Sequence, residues 1–420
     1  MKECLLCTRR QFLGTASLLA AGAAMPQFLA RAAAAVESGK VVKGFHDDRI
    51  LLVVQLGGGN DGLNMVVPYS DDAYYRARPK IGLKQDRLIK INDQIGLNNR
   101  MTAMKDLMDG GKVTLIEGVG YPNPNRSHFR SMEIWHTATD SNKFSETGWL
   151  GRYFDNQCGG EAEPVAGVAI GGERPQAFGG KKGFGVAFQD PGSFGWTEGQ
   201  GQAREENYKL INTVARPHND TLDFLQKVTN DAVLSSDRVR EVAKKYKGGI
   251  SYPRDPFGQS LETVAKMIAG GLPTKIYYVT LSGFDTHANQ VGTQDNLLDR
   301  FSKGIDAFYK DMKAQGNGDR VLIMTFSEFG RRVEENASGG TDHGTAAPMM
   351  LIGDPVVAGM AGKRPSLTDL DQGDLKYTTD FRSVYASVLD QWLHTDSKII
   401  LGQGFPQINM VKGASAIKTA

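Results

Sequence analysis

The sequence is poor in cysteine, with only Cys4, Cys7 and Cys158 among its 420 residues. The first two lie in an N-terminal segment that we predict to be removed. The mature chain then keeps one cysteine and cannot form an internal disulfide. Stability must come from a packed core instead, and a hydrophobic content of 40% is enough for a large one.

No apolar run in the N-terminal segment is long enough to span a bilayer, which takes ~20 residues. The sequence Thr8-Arg9-Arg10-Gln11-Phe12-Leu13 precedes a small and apolar run that ends near Ala24, and Ala30-Arg31-Ala32 follows. This order predicts a twin-arginine signal peptide over residues 1–32, with export to the periplasm or beyond and no stable membrane span after cleavage. The alternative is an uncleaved N-terminal anchor.

The mature chain also lacks a basic tract. Removing residues 1–32 takes away four positive charges and one negative charge, so the formal charge changes from +2 to −1. Nucleic acid is therefore not an expected partner. The export machinery is the one macromolecular partner that the segment implies, and twin-arginine substrates are commonly loaded with a metal or cofactor before export.

Internal repeats and low-complexity linkers are absent, which favours a single domain. Near-continuous apolar runs, typical of strands buried on both faces, predict strands at residues 49–56, 112–119, 164–170, 275–281, 320–326 and 348–353. Helices are predicted between several of them, including residues 101–111 and 296–316, each ending at a glycine. Strands that alternate with helices indicate an α/β fold with a mostly parallel sheet covered on both sides.

Two regions interrupt this alternation. Residues 159–201 are glycine-rich and predict long loops, whereas residues 218–247 have a strongly helical pattern. We therefore predict one α/β domain over residues 45–412, with residues 155–260 as a loop-rich and helical insertion that carries specificity.

A glycine-rich loop follows the first predicted strand, in the sequence LLVVQLGGGNDGLN at residues 51–64. Gly57, Gly59 and Gly62 fit the G-x-G-x-x-G spacing of a dinucleotide loop. That function requires a helix to begin at Gly62, but beta-branched residues and Pro68 follow. The remaining alternatives are a turn residue and a metal ligand for Asp61, which stands just beyond a strand end.

Other polar clusters also stand at strand ends. Asp285 and His287 follow the strand at 275–281, Glu328 follows the strand at 320–326, and Asp342 and His343 precede the strand at 348–353. Carboxylates suit hard divalent cations and imidazoles favour zinc or manganese. This pattern predicts a metal site at one edge of the sheet.

A fourth cluster follows the strand at 112–119 and contains Arg126, Ser127 and His128 at a predicted helix start. Ser127 has two interpretations that the sequence leaves open. It is either an N-cap hydroxyl or a nucleophile activated by a metal, with Arg126 binding an anionic group.

Taken together, these clusters resemble the alkaline phosphatase superfamily, which includes sulfatases. More closely, QLGGGNDGLNMVVP, NRSHF, GFDTHANQ, TFSEFGRR, TDHGTAAPMMLIG and TTDFRSVYASVL resemble a family of twin-arginine-exported bacterial proteins of unknown function, domain of unknown function 1501. The resemblance covers nearly all of the chain after the signal. It implies an alkaline phosphatase-like three-layer α/β/α sandwich with one or two divalent metals at the carboxyl edge of the sheet.

The resemblance implies roles for individual residues. Asp61 matches the first metal-bridging aspartate, Ser127 the nucleophile, and Asp285 and His287 an Asp and His that share a metal, although the superfamily usually spaces these four apart. In the register we prefer, Glu328 replaces an aspartate, Phe329 stands where a histidine is expected, and His343 is the late histidine. In the other register, Asp342 and His343 bind a second metal and His394 is the late histidine.

The expected function is hydrolysis of phosphate or sulfate esters, small or polymer-linked, with Zn, Mn, Mg or Ca as the metal. Ser127, Arg126 and His128 are the expected catalytic residues, and Asp61, Asp285, His287, Glu328, Asp342 and His343 the expected metal ligands. The formylglycine sulfatase motif is absent. Phe329 and the two-residue spacing favour an alternative, a catalytically degenerate protein that binds or assembles envelope components. A nucleotide-dependent oxidoreductase is a further alternative.

Overall fold

The computed structural model describes residues 47–157, 164–181, 185–189, 239, 241–242, 246 and 248–413. Within them the strands are β1 Ile50–Gly57, β2 Val66–Val67, β3 Leu88–Lys90, β4 Gly96–Asn98, β5 Val113–Gly120, β6 Gly167–Ile170, β7 Val186–Phe188, β8 Ile276–Ser282, β9 Val321–Phe326, β10 Ala347–Ile352, β11 Gly359–Gly362, β12 Leu370–Asp371, β13 Asp374–Leu375 and β14 Thr379–Asp380. The helices are α1 Gly62–Met65, α2 Asp72–Ala77, α3 Thr102–Asp109, α4 His128–Thr137, α5 Trp149–Asn156, α6 Pro256–Ala269, α7 Gln290–Ala314, α8 Phe381–Gln391 and α9 Ser397–Leu401.

All six strands predicted from apolar runs are present and belong to one sheet. Alternate side chains of β1 enter two separate cores. Ile50, Leu52, Val54 and Leu56 pack in the core beneath α3, α6 and α7, whereas Leu51 and Val53 pack in the core beneath α4, α5 and α8. The predicted three-layer α/β/α architecture is therefore confirmed.

The sheet has the strand order β11-β5-β10-β9-β1-β8-β6-β7, with β14 beside the end of β5. Strand β10 is antiparallel to both of its neighbours, and the other pairs are parallel. The carboxyl ends of β1, β5, β8 and β9 and the start of β10 therefore share one edge. Every strand-end cluster noted in the sequence lies at this edge.

The two long predicted helices are confirmed with shifted bounds. Helix α3 ends directly before Gly110, as expected. Helix α7 begins at Gln290, ahead of the predicted start at residue 296, and ends before Gly316, whose φ is +72°. The earlier start was hidden because its first turn carries Gln290 and Gln294, which are buried but polar.

The glycine loop makes a close approach possible. Gly58 and Gly59 have φ of +117° and +78°. A Cβ on Gly58 would lie 2.4 Å from the main-chain nitrogen of Asp285, and one on Gly59 would lie 2.2 Å from the Phe329 ring. Only glycine lets the loop pack against the chain segments that follow β8 and β9.

The expectation that no helix begins at Gly62 was wrong, because the one-turn helix α1 begins there before β2. Its N-cap is Asp61, whose carboxylate accepts the Leu63 amide hydrogen. All four residues of α1 are buried. The N-terminus of α1 is therefore capped by the Asp61 side chain.

The predicted signal at residues 1–32 and most of the predicted insertion lie outside the described residues. Within the range 155–260, β6 and β7 are strands of the central sheet, and β7 falls in the glycine-rich stretch where loops were expected. No described helix has both the length and the apolar character needed to cross a membrane.

Candidate metal centre

Four chain segments bring imidazoles and carboxylates together at the shared sheet edge. His128 is the first residue of α4 after β5, Asp285 and His287 lie in the loop after β8, Glu328 lies just after β9, and His343 precedes β10. Side chains of these residues contact one another directly. The structure thus brings these five residues together in one cluster.

Asp285 lies at the centre of this cluster. Its Oδ1 is 3.0 Å from His287 Nε2 and 3.1 Å from His343 Nε2, and its Oδ2 is 3.4 Å from His128 Nε2. The Nε2 atoms of His287 and His343 are 2.9 Å apart. Ligand atoms bonded to one ion at ~2.0–2.2 Å have separations of roughly 3 Å, so these spacings suit a shared cation.

The other ring nitrogen of each imidazole faces an oxygen. His128 Nδ1 lies 2.9 Å from Glu328 Oε1, His343 Nδ1 lies 2.8 Å from the Arg126 main-chain oxygen, and His287 Nδ1 lies 3.3 Å from Asp342 Oδ1. Each of these oxygens can accept a hydrogen bond from Nδ1, so the neutral tautomer that carries its proton there suits all three imidazoles. The Nε2 lone pairs are then directed toward Asp285.

This tautomer assignment leaves three imidazole lone pairs and a carboxylate converging without a proton among them. Such an arrangement is unfavourable on its own, and a proton or a metal cation at the Nε2 atoms relieves it. His128, Asp285 and His343 also form a group of potential ligand atoms that all lie within 4.8 Å of one another. An oxygen behind each ligating histidine is the usual way in which a protein orients a metal site. The residues therefore fit a divalent metal.

Arg331, a buried residue that the sequence analysis did not predict for the site, supports the cluster through hydrogen bonds. Its buried guanidinium donates to Asp285 Oδ1 at 2.7 Å and to the main-chain oxygens of Gly59, Phe284 and Thr341 at 2.7–3.0 Å. It thereby ties three loops of the site together. Its only sequence signal is its position three residues after Glu328 at the same strand end.

Arg331 also sets the charge of Asp285. Burial opposes ionisation of this carboxyl, but the hydrogen bond and the charge of Arg331 outweigh it and hold the pKa of Asp285 below its ordinary value. Asp285 is therefore a carboxylate at every physiological pH, as a metal ligand must be.

Glu328 and Phe329 form the wall behind His128. The Glu328 side chain is 2% exposed, and its Oε1 accepts hydrogen bonds from the Gly58 amide at 2.8 Å and from His128. The Phe329 ring packs against the imidazoles of His128 and His343, with centroid distances of 4.9 and 4.6 Å. Phe329 thus stands where a histidine was expected and packs against two other histidines of the cluster.

Ser127 occupies the N-cap position of α4, yet its hydroxyl makes no capping hydrogen bond. The residue is exposed and directly precedes His128. The N-cap interpretation therefore holds for its backbone and not for its hydroxyl, which is free for other chemistry.

The Arg126 side chain pairs with Asp374, a residue that the sequence analysis did not predict for the site. The Arg126 Nε lies 2.7 Å from Asp374 Oδ2. Arg332 approaches the same carboxyl from its other side, with its Nε 3.7 Å from Asp374 Oδ1.

Hydrogen bonds from Asn336 and His287 lower the pKa of Asp342, and the charge of Arg332 adds to this effect.

The structure does not bring Asp61 into the cluster. Its carboxylate is buried, lies 2.6 Å from Arg78 Nη1, caps α1 and accepts a hydrogen bond from Gln290. This set of partners corrects the expectation of a metal ligand, because the oxygens are already satisfied. The partner Arg78 was missed because nothing near it in the sequence marks it as buried.

The expected roles of Glu328 and Asp342 also change. Each carboxylate lies at the Nδ1 atom of an imidazole and not where the Nε2 atoms converge.

The structure also separates the two registers considered for the late histidine. His343 is in the cluster, whereas His394 contacts Arg49, which precedes β1 at the opposite edge of the sheet. The preferred register agrees with this placement.

Similar solved structures include members of the alkaline phosphatase superfamily. One is a protein of that superfamily from Vibrio parahaemolyticus, with 10% identity and a TM-score of 0.38 over 86% of this chain and 70% of that chain. Another is the zinc complex of the C-terminal periplasmic domain of EcEptC from Escherichia coli, with 10% identity and a TM-score of 0.36 over 83% of each chain. A third is the lipoteichoic acid synthase LtaP from Listeria monocytogenes, with 10% identity and a TM-score of 0.37 over 86% of this chain and 74% of that chain.

Because these TM-scores are below 0.5, they do not indicate which reaction the chain performs. No curated protein matches the chain. The model of the family DUF1501, described as proteins of unknown function, matches residues 48–401. That range is most of the 420-residue sequence, so this protein belongs to the DUF1501 family.

Proposed function

We propose that this chain is an exported protein that binds one divalent metal and hydrolyses phosphate or sulfate esters. The supporting observation is the convergence of three Nε2 atoms on Asp285 while an oxygen lies at each Nδ1. His128, Asp285, His287 and His343 are the proposed ligands. Export through the twin-arginine pathway to the periplasm or beyond rests on the N-terminal sequence alone.

The donor set favours a particular class of metal. Three imidazoles and one carboxylate suit zinc or manganese better than calcium or magnesium, which prefer oxygen ligands. When bound, such an ion acts as a Lewis acid that polarises the ester group. Glu328 and Asp342 orient His128 and His287, and Arg331 fixes Asp285 as a carboxylate.

Ser127 is the proposed nucleophile. Its uncapped hydroxyl lies at the N-terminus of α4, where the helix dipole and free amide groups favour an anionic ester. Attack by Ser127 Oγ on phosphorus or sulfur forms a new ester bond and breaks the bond to the leaving group, which departs as the alcohol after taking up the serine proton. Water then hydrolyses the seryl ester.

A second function is favoured by a specific observation. Asp61 would belong to a second metal site in a two-metal enzyme, but it is paired with Arg78, and Phe329 stands where a histidine was expected. Within the described residues, one group of potential metal ligands is found. A protein that keeps a single structural metal and binds or assembles other envelope components fits this observation.

Metal content tests the centre itself. We would purify the mature chain, measure metals by elemental analysis and titrate zinc into protein treated with a chelator. His343→Gln is expected to reduce bound metal, and the matched control His394→Gln, at the opposite sheet edge, is expected to leave it unchanged. Equal metal content in both variants and the wild type would refute the proposed ligands.

Turnover separates the two functions. The wild type and Ser127→Ala would be screened against aryl phosphate monoesters, phosphodiesters and sulfate esters, with zinc or manganese and with chelator. The hydrolase proposal expects chelator-sensitive turnover that Ser127→Ala abolishes. Stoichiometric metal without turnover would favour the binding function, and full activity of Ser127→Ala would remove the nucleophile assignment.

A further inference from the structure

Beside the metal cluster, two arginines share one buried carboxylate. Asp374 has a side-chain exposure of 1%, and the side chains of Arg126 and Arg332 are 37% and 38% exposed. Arg126 pairs closely with Asp374 Oδ2 through both Nε and Nη2. The two guanidiniums and the single carboxylate leave a net charge of +1 at this place.

The pairing is incomplete on the side of Arg332. Asp374 Oδ1 is buried without a hydrogen-bond partner, and Arg332 Nε lies 3.7 Å from it. Among the described residues, the Arg332 guanidinium has no hydrogen-bond acceptor. A guanidinium offers five donors in a planar fork that fits oxyanions, so Arg332 retains unused binding capacity.

A second Arg-Asp-Arg arrangement in the same chain shows what a purely structural set looks like. Arg87 pairs with the buried carboxylate of Asp295, and Arg100 Nε lies 3.8 Å from it. There, however, Asp295 Oδ1 accepts a hydrogen bond from Asn98 Nδ2 at 2.9 Å, so the carboxylate is satisfied. What distinguishes the set at Asp374 for anion binding is its place in the chain, because Arg126 and Arg332 are bonded through their main chains to His343 and Asp342.

The main chains of both arginines are tied to the metal cluster. The main-chain oxygen of Arg126 accepts from His343 Nδ1, and the main-chain amide of Arg332 donates to the Asp342 oxygen at 3.0 Å. The main chains of both arginines are thus anchored next to residues 342 and 343. An anion between them would lie near the proposed ligands.

We propose that Arg126 and Arg332 form an oxyanion subsite for a phosphate or sulfate group, with Asp374 as the positioning residue that holds both guanidiniums at the rim of the metal cluster. The proposal rests on the proposed function in that the anion is part of the ester substrate. It adds Arg332 and Asp374 to the site.

Anion binding tests this subsite without requiring turnover. Inorganic phosphate and, separately, inorganic sulfate would be titrated by calorimetry into the zinc-loaded and the chelator-treated mature chain at low ionic strength. Losing one charge-assisted hydrogen-bonding group in Arg332→Gln is expected to weaken binding of the preferred anion roughly tenfold or more. Arg332→Lys, which keeps the charge but loses the fork, should retain part of the affinity.

The matched control is Arg100→Gln, because Arg100 lies at nearly the same distance from a buried carboxylate elsewhere. This variant is expected to bind the anion as the wild type does. Arg332 is partly exposed and only loosely paired, so its replacement should leave folding intact, which circular dichroism would verify.

Three results would overturn the proposal: no binding of either anion by the wild type in either metal state, wild-type affinity in Arg332→Gln, or equal weakening in Arg332→Gln and Arg100→Gln. Arg332-dependent anion binding together with no ester turnover would support the subsite and refute the hydrolase. Ester turnover together with an anion affinity that Arg332→Gln leaves unchanged would support the hydrolase and refute the subsite.

Discussion

Replacing Glu328 by glutamine separates metal binding from folding. The Glu328 carboxylate is buried, and its Oε1 accepts two hydrogen bonds, from the Gly58 amide at 2.8 Å and from His128 Nδ1 at 2.9 Å. A glutamine side chain has the same shape and can accept both bonds through its oxygen. What it lacks is the negative charge behind the imidazole, which makes Nε2 a better metal ligand.

The expected loss is a 10- to 100-fold lower zinc affinity, since replacing the oxygen behind a ligating histidine typically has an effect of about that size. Competition with a chromophoric chelator measures it at neutral pH. Urea unfolding of the metal-free protein should change little for Glu328→Gln. In Glu328→Ala the Gly58 amide loses its acceptor, so the free energy of unfolding should also fall by about 1–3 kcal/mol.

A suitable control is Glu117→Gln, because Glu117 is also largely buried but pairs with Arg364. This variant is expected to bind zinc as the wild type does. If Glu328→Gln binds zinc as tightly as the wild type, Glu328 does not orient a ligand, and His128 loses its place in the ligand set.

Three other changes give clear expectations. Gly59→Ala places a Cβ against the Phe329 ring at a residue with φ of +78°. The free energy of unfolding, measured with urea, should therefore fall by about 1–3 kcal/mol. A wild-type value would refute the close approach. Burial lowers the pKa of His136 from 6.5 to about 4. The unfolded chain therefore takes up the proton first on acidification, and stability that is present above about pH 6.5 is lost toward pH 4. Between those values the wild type should lose about 3 kcal/mol more than His136→Phe in urea unfolding across a pH series, and parallel curves would contradict this. Asp61→Asn breaks the buried pair with Arg78, so the free energy of unfolding should fall by about 3–5 kcal/mol. If the folded variant instead binds less zinc per chain than the wild type, Asp61 is a metal ligand after all.

The sequence predicts the sheet well because its strands are buried on both faces. Their apolar runs are continuous, and residues that follow parallel strands meet at one edge whatever the details of packing. That argument alone was enough to group Asp285, His287, Glu328 and His343. It fails for β7, because a three-residue strand within a glycine-rich stretch has no pattern of its own.

The roles within the group could not be predicted, because they depend on which atom faces which neighbour. Glu328 and Asp285 look alike in the sequence, as acids just after strands, yet one lies at Nδ1 of an imidazole and the other at Nε2. Arg331 is a further case. Its guanidinium joins loops that are distant along the chain, and no local pattern reports such contacts.

The pairing of Asp61 with Arg78 bears on the number of metals. The Arg78 guanidinium donates to Asp61 at 2.6 Å and to Asn64 at 2.8 Å, while its other nitrogens bond the main-chain oxygens of Val333 and Arg332. A cation is thus already built in at the carboxylate that would hold a second ion. Adding a divalent ion there would require displacing a fully hydrogen-bonded buried charge and placing two like charges side by side, both of which are costly. One metal per chain is therefore the expected stoichiometry, and the proposed ester chemistry would use that ion with arginine side chains in place of a second one.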